Sequence, residues 1–143
     1  MQSEPTATIS ADQRIGLYAV AGGTLRGLTQ PAGGRPFGGW VNYGYGAKAF
    51  GSTPALVPLS NGTNAIYVAA TDKTGWGTVL APGQPTSAGW PNIGSTALAA
   101  TALTAKQTLT GQLVVYANAA DGTVIGSGQS VAGGTFSNWA AIG

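Results

Sequence analysis

The chain has 143 residues, of which 43% are hydrophobic and only 7% charged, with a formal net charge of +2 and neither histidine nor cysteine. Its basic residues, Arg14, Arg26, Arg35, Lys48, Lys73 and Lys106, are scattered with no two adjacent, so no stripe tracks a phosphate backbone and nucleic acid is not an expected partner. Disulfides and thiolate metal sites are excluded, no apolar run approaches the roughly 20 residues that cross a bilayer, and Met1-Gln-Ser-Glu-Pro5 lacks the apolar core of a signal peptide.

The first expected strands are Thr6 to Ile9 and the β-branched and aromatic run Leu17 to Ala21, which leads through a Gly22-Gly23 turn into Thr24 to Gln30. A loop rich in glycine and proline follows, and Gly39-Trp40-Val-Asn-Tyr-Gly44 opens another strand. The same order then returns: Ala55 to Leu59, Ile66 to Ala70, a turn at Asp72-Lys-Thr74, Gly75 to Ala81, and Gly89-Trp90-Pro-Asn-Ile-Gly94. Ala97 to Lys106 holds five alanines, but Thr101, Thr104 and its alignment with the earlier linker argue for loop and strand over helix. A third round comprises Thr104 to Thr108, where Lys106 and Gln107 interrupt the apolar pattern, then Leu113 to Ala117, Thr123 to Gln129 and Asn138-Trp139-Ala-Ala-Ile-Gly143. Between its middle strands, Asp121-Gly122 predicts a type I′ turn with positive φ at both central residues.

The rounds are periodic. Tyr18, Tyr67 and Tyr116 stand 49 residues apart, and Trp40, Trp90 and Trp139 stand 50 and then 49 apart. Gly27, Gly77 and Gly126 fall at one point of the second strand, where a missing side chain predicts a bulge or the approach of a neighbouring sheet's backbone. Four strands in a unit too small to bury its own apolar face predict the blade of a β-propeller. The expectation is an all-β propeller in one repeat domain, residues 1–143, with three four-stranded blades near 6–52, 53–102 and 103–143. A β-trefoil also has three repeats and is the alternative, although the Gln-x-Trp signature of the ricin-B class is absent.

The unit Leu113-Val-Val-Tyr116-Ala-Asn-Ala-Ala-Asp121-Gly122 through Gln129, then Phe136-Ser-Asn-Trp139-Ala-Ala-Ile-Gly143, resembles the blade of the Photorhabdus-type propeller lectins: strand, Asp-Gly hairpin, strand ending in Gln, Trp, and a closing Ile-Gly. All three repeats follow it over about residues 6–143, with the first two degenerate at the hairpin and the second lacking the Gln. The resemblance implies a secreted or cell-surface protein that binds fucose and related neutral monosaccharides near blade interfaces, without a metal. That family closes seven blades in one chain, and three would leave two raw sheet faces. Partners must therefore complete the ring: a homodimer of six blades is expected, and a trimer would give nine.

Each recurrent tryptophan, Trp40, Trp90 and Trp139, reads either as a ring packed against the next blade or as a stacking platform for the C–H face of a sugar. Asn42, Asn92 and Asn138 are the nearest polar partners, with turn formation as their other reading. Trp76, aligned with Arg26 and Ile125, does not recur and is the first candidate for an exposed functional aromatic. Gln30 and Gln129 end equivalent strands and could donate to a ligand, while Tyr18, Tyr67 and Tyr116 read as core. Catalysis has little support: the only carboxylates are Glu4, Asp12, Asp72 and Asp121, dispersed along the chain, where a glycosidase needs two within roughly 5 to 10 Å. No enzyme, cofactor or metal is expected. Two functional classes stand: a saccharide-binding module, and a structural or engineered propeller scaffold without a ligand.

Overall fold

In a computed structural model the described residues are 3–44, 49–81, 90–93 and 103–142. They form three antiparallel four-stranded sheets with no helix among them. The first sheet is β1 (Thr6–Ile9), β2 (Ile15–Ala21), β3 (Thr24–Thr29) and β4 (Val41–Asn42). β5 (Ala55–Pro58), β6 (Asn64–Ala69), β7 (Gly75–Leu80) and β8 (Asn92–Ile93) form the second, and β9 (Leu103–Gln107), β10 (Leu113–Asn118), β11 (Val124–Gly128) and β12 (Ala140–Ala141) the third. Every sheet is ordered as its strands occur in the chain, which is the meander of a blade and not the shared barrel of a trefoil. The β9 strand forms despite Lys106 and Gln107, because Leu103 and Ala105 supply its buried side while Lys106 points to the other face and Gln107 is exposed at the strand end.

The blades stack face to face. On β2, β6 and β10 the side chains alternate, so each sheet has a tyrosine face (Tyr18, Tyr67 or Tyr116) and an opposite face. Tyr18, Val20 and Leu25 of blade 1 pack on Ile66, Val68 and Trp90 of blade 2. Ala65, Tyr67 and Ile93 of blade 2 pack on Leu113, Val115 and Trp139 of blade 3. The middle strand β6 is consequently buried along its whole length, whereas β2 and β10 are fully buried on alternate residues only. At about 25 cal/mol per Å2 of apolar area, these two seams are the chief source of stability in a chain whose single sheets cannot cover themselves. The edge strands β1, β5 and β9 lie side by side, β1 against β5 and β5 against β9. Thr6 Oγ1 donates to the Pro54 carbonyl at 3.0 Å, tying the first two blades together there.

The repeated glycines have a cause different from the expected one. Gly27, Gly77 and Gly126 lie directly across from Tyr18, Tyr67 and Tyr116 in register. A Cβ on Gly77 would sit 2.5 Å from the Tyr67 ring, and one on Gly27 would sit 2.6 Å from that of Tyr18. The space is taken by a tyrosine of the same sheet lying across the glycine, not by another backbone or a bulge.

The Asp121-Gly122 hairpin also differs. Only Gly122 has positive φ (85°); Ala119 accepts from Gly122 N–H and its own N–H donates to the Thr123 carbonyl, which is a type I turn closed by a G1 bulge. The same pair of hydrogen bonds closes the hairpins Ser10–Arg14, Leu59–Thr63, Ala70–Thr74 and Thr108–Gln112, with Gln13, Gly62, Lys73 and Gly111 at the left-handed position. The two-residue turn is at Gly22-Gly23, both of positive φ.

Candidate functional site

The seam between blades 2 and 3 opens into a cleft of about 550 Å3. One wall comes from Tyr67, Val79, Pro91 and Asn92, and the other from Gln129, Gly134, Thr135 and Phe136. No charged residue lines it. The floor is apolar, with the Tyr67 and Phe136 rings edge to face at 5.7 Å, and the polar groups around it are uncharged hydroxyls, carboxamides and peptide groups. Burial pushes the Tyr67 phenol well above its ordinary range, so it is a neutral hydroxyl at any physiological pH. An apolar cleft of this size with a few uncharged hydrogen-bonding groups suits a small neutral ligand that is apolar on one side.

Among the residues expected from sequence to form the site, Asn92 and Gln129 line this cleft. Trp90 and Trp139 do not serve as platforms. They are 4% and 9% exposed, and their indole Nε1–H groups donate across the seams to the Tyr43 carbonyl at 2.8 Å and the Ile93 carbonyl at 2.9 Å. Phe50 packs on the Trp90 ring at 4.9 Å. Their role is that of the packed ring. Trp76 is not an exposed aromatic: it is half-buried against the seam between blades 1 and 2, and its indole N–H donates to Thr74 Oγ1 at 2.7 Å. It lies opposite Asn92 in the β7–β8 register, on the face of the sheet away from Tyr67.

Trp40 differs from its two counterparts in being 56% exposed. It borders a separate hollow of about 410 Å3 on the outer face of blade 1, with Pro5, Leu17, Ala19 and Arg26. Asn42 is spent on its turn, its Oδ1 accepting from Gly44 N–H at 2.7 Å. Asn138 is exposed beside Trp139.

Gln30 and Gln129 are structural clamps. Gln30 Oε1 accepts from Ile15 N–H at 2.9 Å and its Nε2 donates to the Arg35 carbonyl at 2.8 Å; Gln129 makes the equivalent bonds to Leu113 at 3.0 Å and Gly134 at 2.8 Å. Each amide thereby holds its following loop in place. That loop carries a residue the sequence reading missed, Phe136. The signal was available: Phe37 and Phe136 both fall seven residues after these glutamines.

The aspartates are built into hairpins. Asp12 accepts from Ser10 Oγ and pairs with Arg14, Asp72 accepts from Thr74, and Asp121 accepts from Thr123 N–H and Oγ1. The hydrogen bond from Ser10 holds the Asp12 carboxyl below its usual range, and those from Thr123 do the same for Asp121. Ordered into turns at separate hairpin tips, they form no acid–base pair, and among the described residues no three acids cluster as a metal site would need.

No protein-family model matches the sequence, and no curated protein does. Solved structures do. A protein of unknown function from Dyadobacter fermentans is similar over 99% of this chain and 51% of its own, at 15% identity and a TM-score of 0.73. A Bifidobacterium bifidum protein provisionally assigned as an exo-β-1,3-galactanase is similar over 96% of this chain and 49% of its own, at 13% identity and a TM-score of 0.66. This chain spans about half the length of both. A fucose lectin from Kordia zhangzhouensis, solved with methyl-fucoside, is similar over 99% of this chain and 97% of its own, at 18% identity and a TM-score of 0.55. At these identities the likeness is one of fold: all-β, with blade-like four-stranded sheets.

Proposed function

We propose that this protein is a non-catalytic lectin that binds a neutral monosaccharide, fucose-like in character, in the clefts between its blades, and that it acts at the cell surface or after secretion. The observation that carries the reading is the cleft between blades 2 and 3. It is uncharged, apolar on its floor and bordered by Asn92 and Thr135, in a fold shared along its full length with a fucose lectin. A sugar can set its C–H face on the Phe136 edge and Val79 while its hydroxyls meet hydroxyl and peptide groups. Such a site supplies about 4 kcal/mol, a dissociation constant of about 1 mM, so useful affinity comes from several sites engaging one glycan surface. With no ion pair in the cleft, binding is insensitive to salt and to EDTA.

Titration calorimetry with methyl-fucoside, methyl-mannoside and methyl-galactoside tests this. Val79→Lys and Thr135→Ala, both at exposed positions of the cleft, should abolish or weaken the heat of binding tenfold or more, while Trp76→Ala, on the other face of the sheet, leaves it unchanged in folded protein. No heat with any of the three sugars at millimolar concentration removes the lectin reading and leaves the scaffold.

A further inference from the structure

The two seams inside the chain share one type of hydrogen bond, and the outer faces of the chain carry the repeat-equivalent groups of a third. At each internal seam a tryptophan of the later blade donates its indole N–H to a carbonyl of the earlier one: Trp90 to Tyr43, and Trp139 to Ile93. The repeat-equivalent donor in blade 1 is Trp40, exposed on the face of that blade turned away from blade 2. The repeat-equivalent carbonyl in blade 3 is that of Ile142, an exposed residue. At the second seam Phe136 meets Tyr67; the counterpart of Phe136 in blade 1 is Phe37, and the counterpart of Tyr67 in blade 3 is Tyr116. Exposure follows this pattern. Trp40 is 56%, Phe37 42% and Ile142 50% exposed, and Tyr116 is half-buried, whereas the partnered Trp90 and Tyr67 are buried. Leu17 and Ala19 on the free face of blade 1 stand where Ile66 and Val68 are fully covered in blade 2.

We propose that the chain associates head to tail with a second copy of itself. The Trp40 face of one copy sits on the Tyr116 face of the next, with Trp40 Nε1–H donating to the Ile142 carbonyl and the Phe37 edge against the Tyr116 ring. The occupant is a copy of this chain, because the free faces offer the two halves of one seam that the chain already makes twice, down to the hydrogen bond. The hollow beside Trp40 and Leu17 is the empty counterpart of the space that blade 1 fills against blade 2. This junction also completes a third cleft, with Tyr116 and Ile142 from one copy and Gln30, Gly34 and Phe37 from the other, so neither chain alone holds that site. Arg35 takes the place of Gly134 at its rim, giving the shared cleft a cation that the internal one lacks.

Sedimentation equilibrium and cross-linking test the junction independently of any sugar. The full chain at micromolar to 100 µM concentration should have the mass of two or three 14.1 kDa chains. Trp40→Arg, and separately Ala19→Arg, should each give the single-chain mass with an unchanged β-type circular dichroism spectrum, while Leu109→Arg, at a fully exposed hairpin tip, leaves the oligomer intact. The chain has no cysteine, so Phe37→Cys and Tyr116→Cys each introduce one thiol. A short bismaleimide should link the two variants when they are mixed and neither variant to itself. A single-chain mass for the unmodified protein, an oligomer that survives both arginine substitutions, or self-linking of Phe37→Cys overturns the proposal.

Discussion

The pairing of Tyr67 with Gly77 makes a sharp energetic prediction. A methyl added at Gly77 would lie 2.5 Å from Cδ1 and Cε1 of the tyrosine ring and 3.0 Å from Ile93 Cδ1, whereas carbon atoms rest at about 3.5 to 4.0 Å. The ring must move by about 1 Å, against a Phe136 ring packed on it edge to face. Overpacking of this kind costs about 1–3 kcal/mol, offset by about 0.5–1 kcal/mol from the backbone entropy that alanine does not lose. Gly77→Ala should therefore destabilise by about 1–2 kcal/mol, lowering the melting temperature by about 4–8 °C in a chain of this size. In a Tyr67→Leu background the ring is gone, and Gly77→Ala should become neutral or slightly stabilising, a coupling of about 2 kcal/mol in the double-mutant cycle. Urea denaturation of the four proteins measures it. If Gly77→Ala costs the same with leucine at 67 as with tyrosine, the glycine is held by something other than the ring.

Lys73 occupies the left-handed position that glycine fills at the equivalent Gly122, with φ of 67°, so Lys73→Gly should stabilise by about 1 kcal/mol in the same urea assay; a loss of stability would mean that the lysine side chain matters more than its backbone. The Tyr18 phenol is pushed up to about 12 by burial, from an ordinary value near 10. Because the folded state holds that proton more tightly than the unfolded chain, its stabilising contribution is complete below about pH 10 and is lost as pH rises towards 12. Tyr18→Phe should flatten the fall in stability over that window, and an unchanged alkaline profile would assign the loss to other groups.

How much was legible follows from what kind of interaction decides each feature. The strands and blade order could be read because alternation and turn residues are local, and Tyr18, Tyr67 and Tyr116 carried the period openly. The function of Gly77 could not, because it depends on which residue lies across from it, and register is set by the hairpin. The Asp121-Gly122 dipeptide suits both a type I′ turn and a type I turn with a G1 bulge; Thr123, whose N–H and hydroxyl both donate to Asp121, selects the second. The same holds for the site. Recurrent tryptophans drew attention as platforms, yet Trp90 and Trp139 are held by carbonyls 47 and 46 residues away, contacts no local pattern announces. Phe136 went unread because its counterpart Phe37 lies in a proline- and glycine-rich loop with no strand period to mark it.

One sequence motif thus has two fates here, and position in the stack decides which. Trp40, Trp90 and Trp139 are the same residue in the same local frame, so local chemistry cannot explain why two are buried with satisfied indole N–H groups while the third is half in solvent. What differs is whether a blade stands in front. The chain has two seams within it, and the uncharged cleft lies at the second of them. On the proposed reading, a ligand site is a property of neighbouring blades, and the number of sites would follow from how many seams are closed. If the clefts bind saccharide as proposed, weak binding at each becomes strong binding to a surface only when the end faces find partners, which ties avidity to the same exposed Trp40 and Ile142.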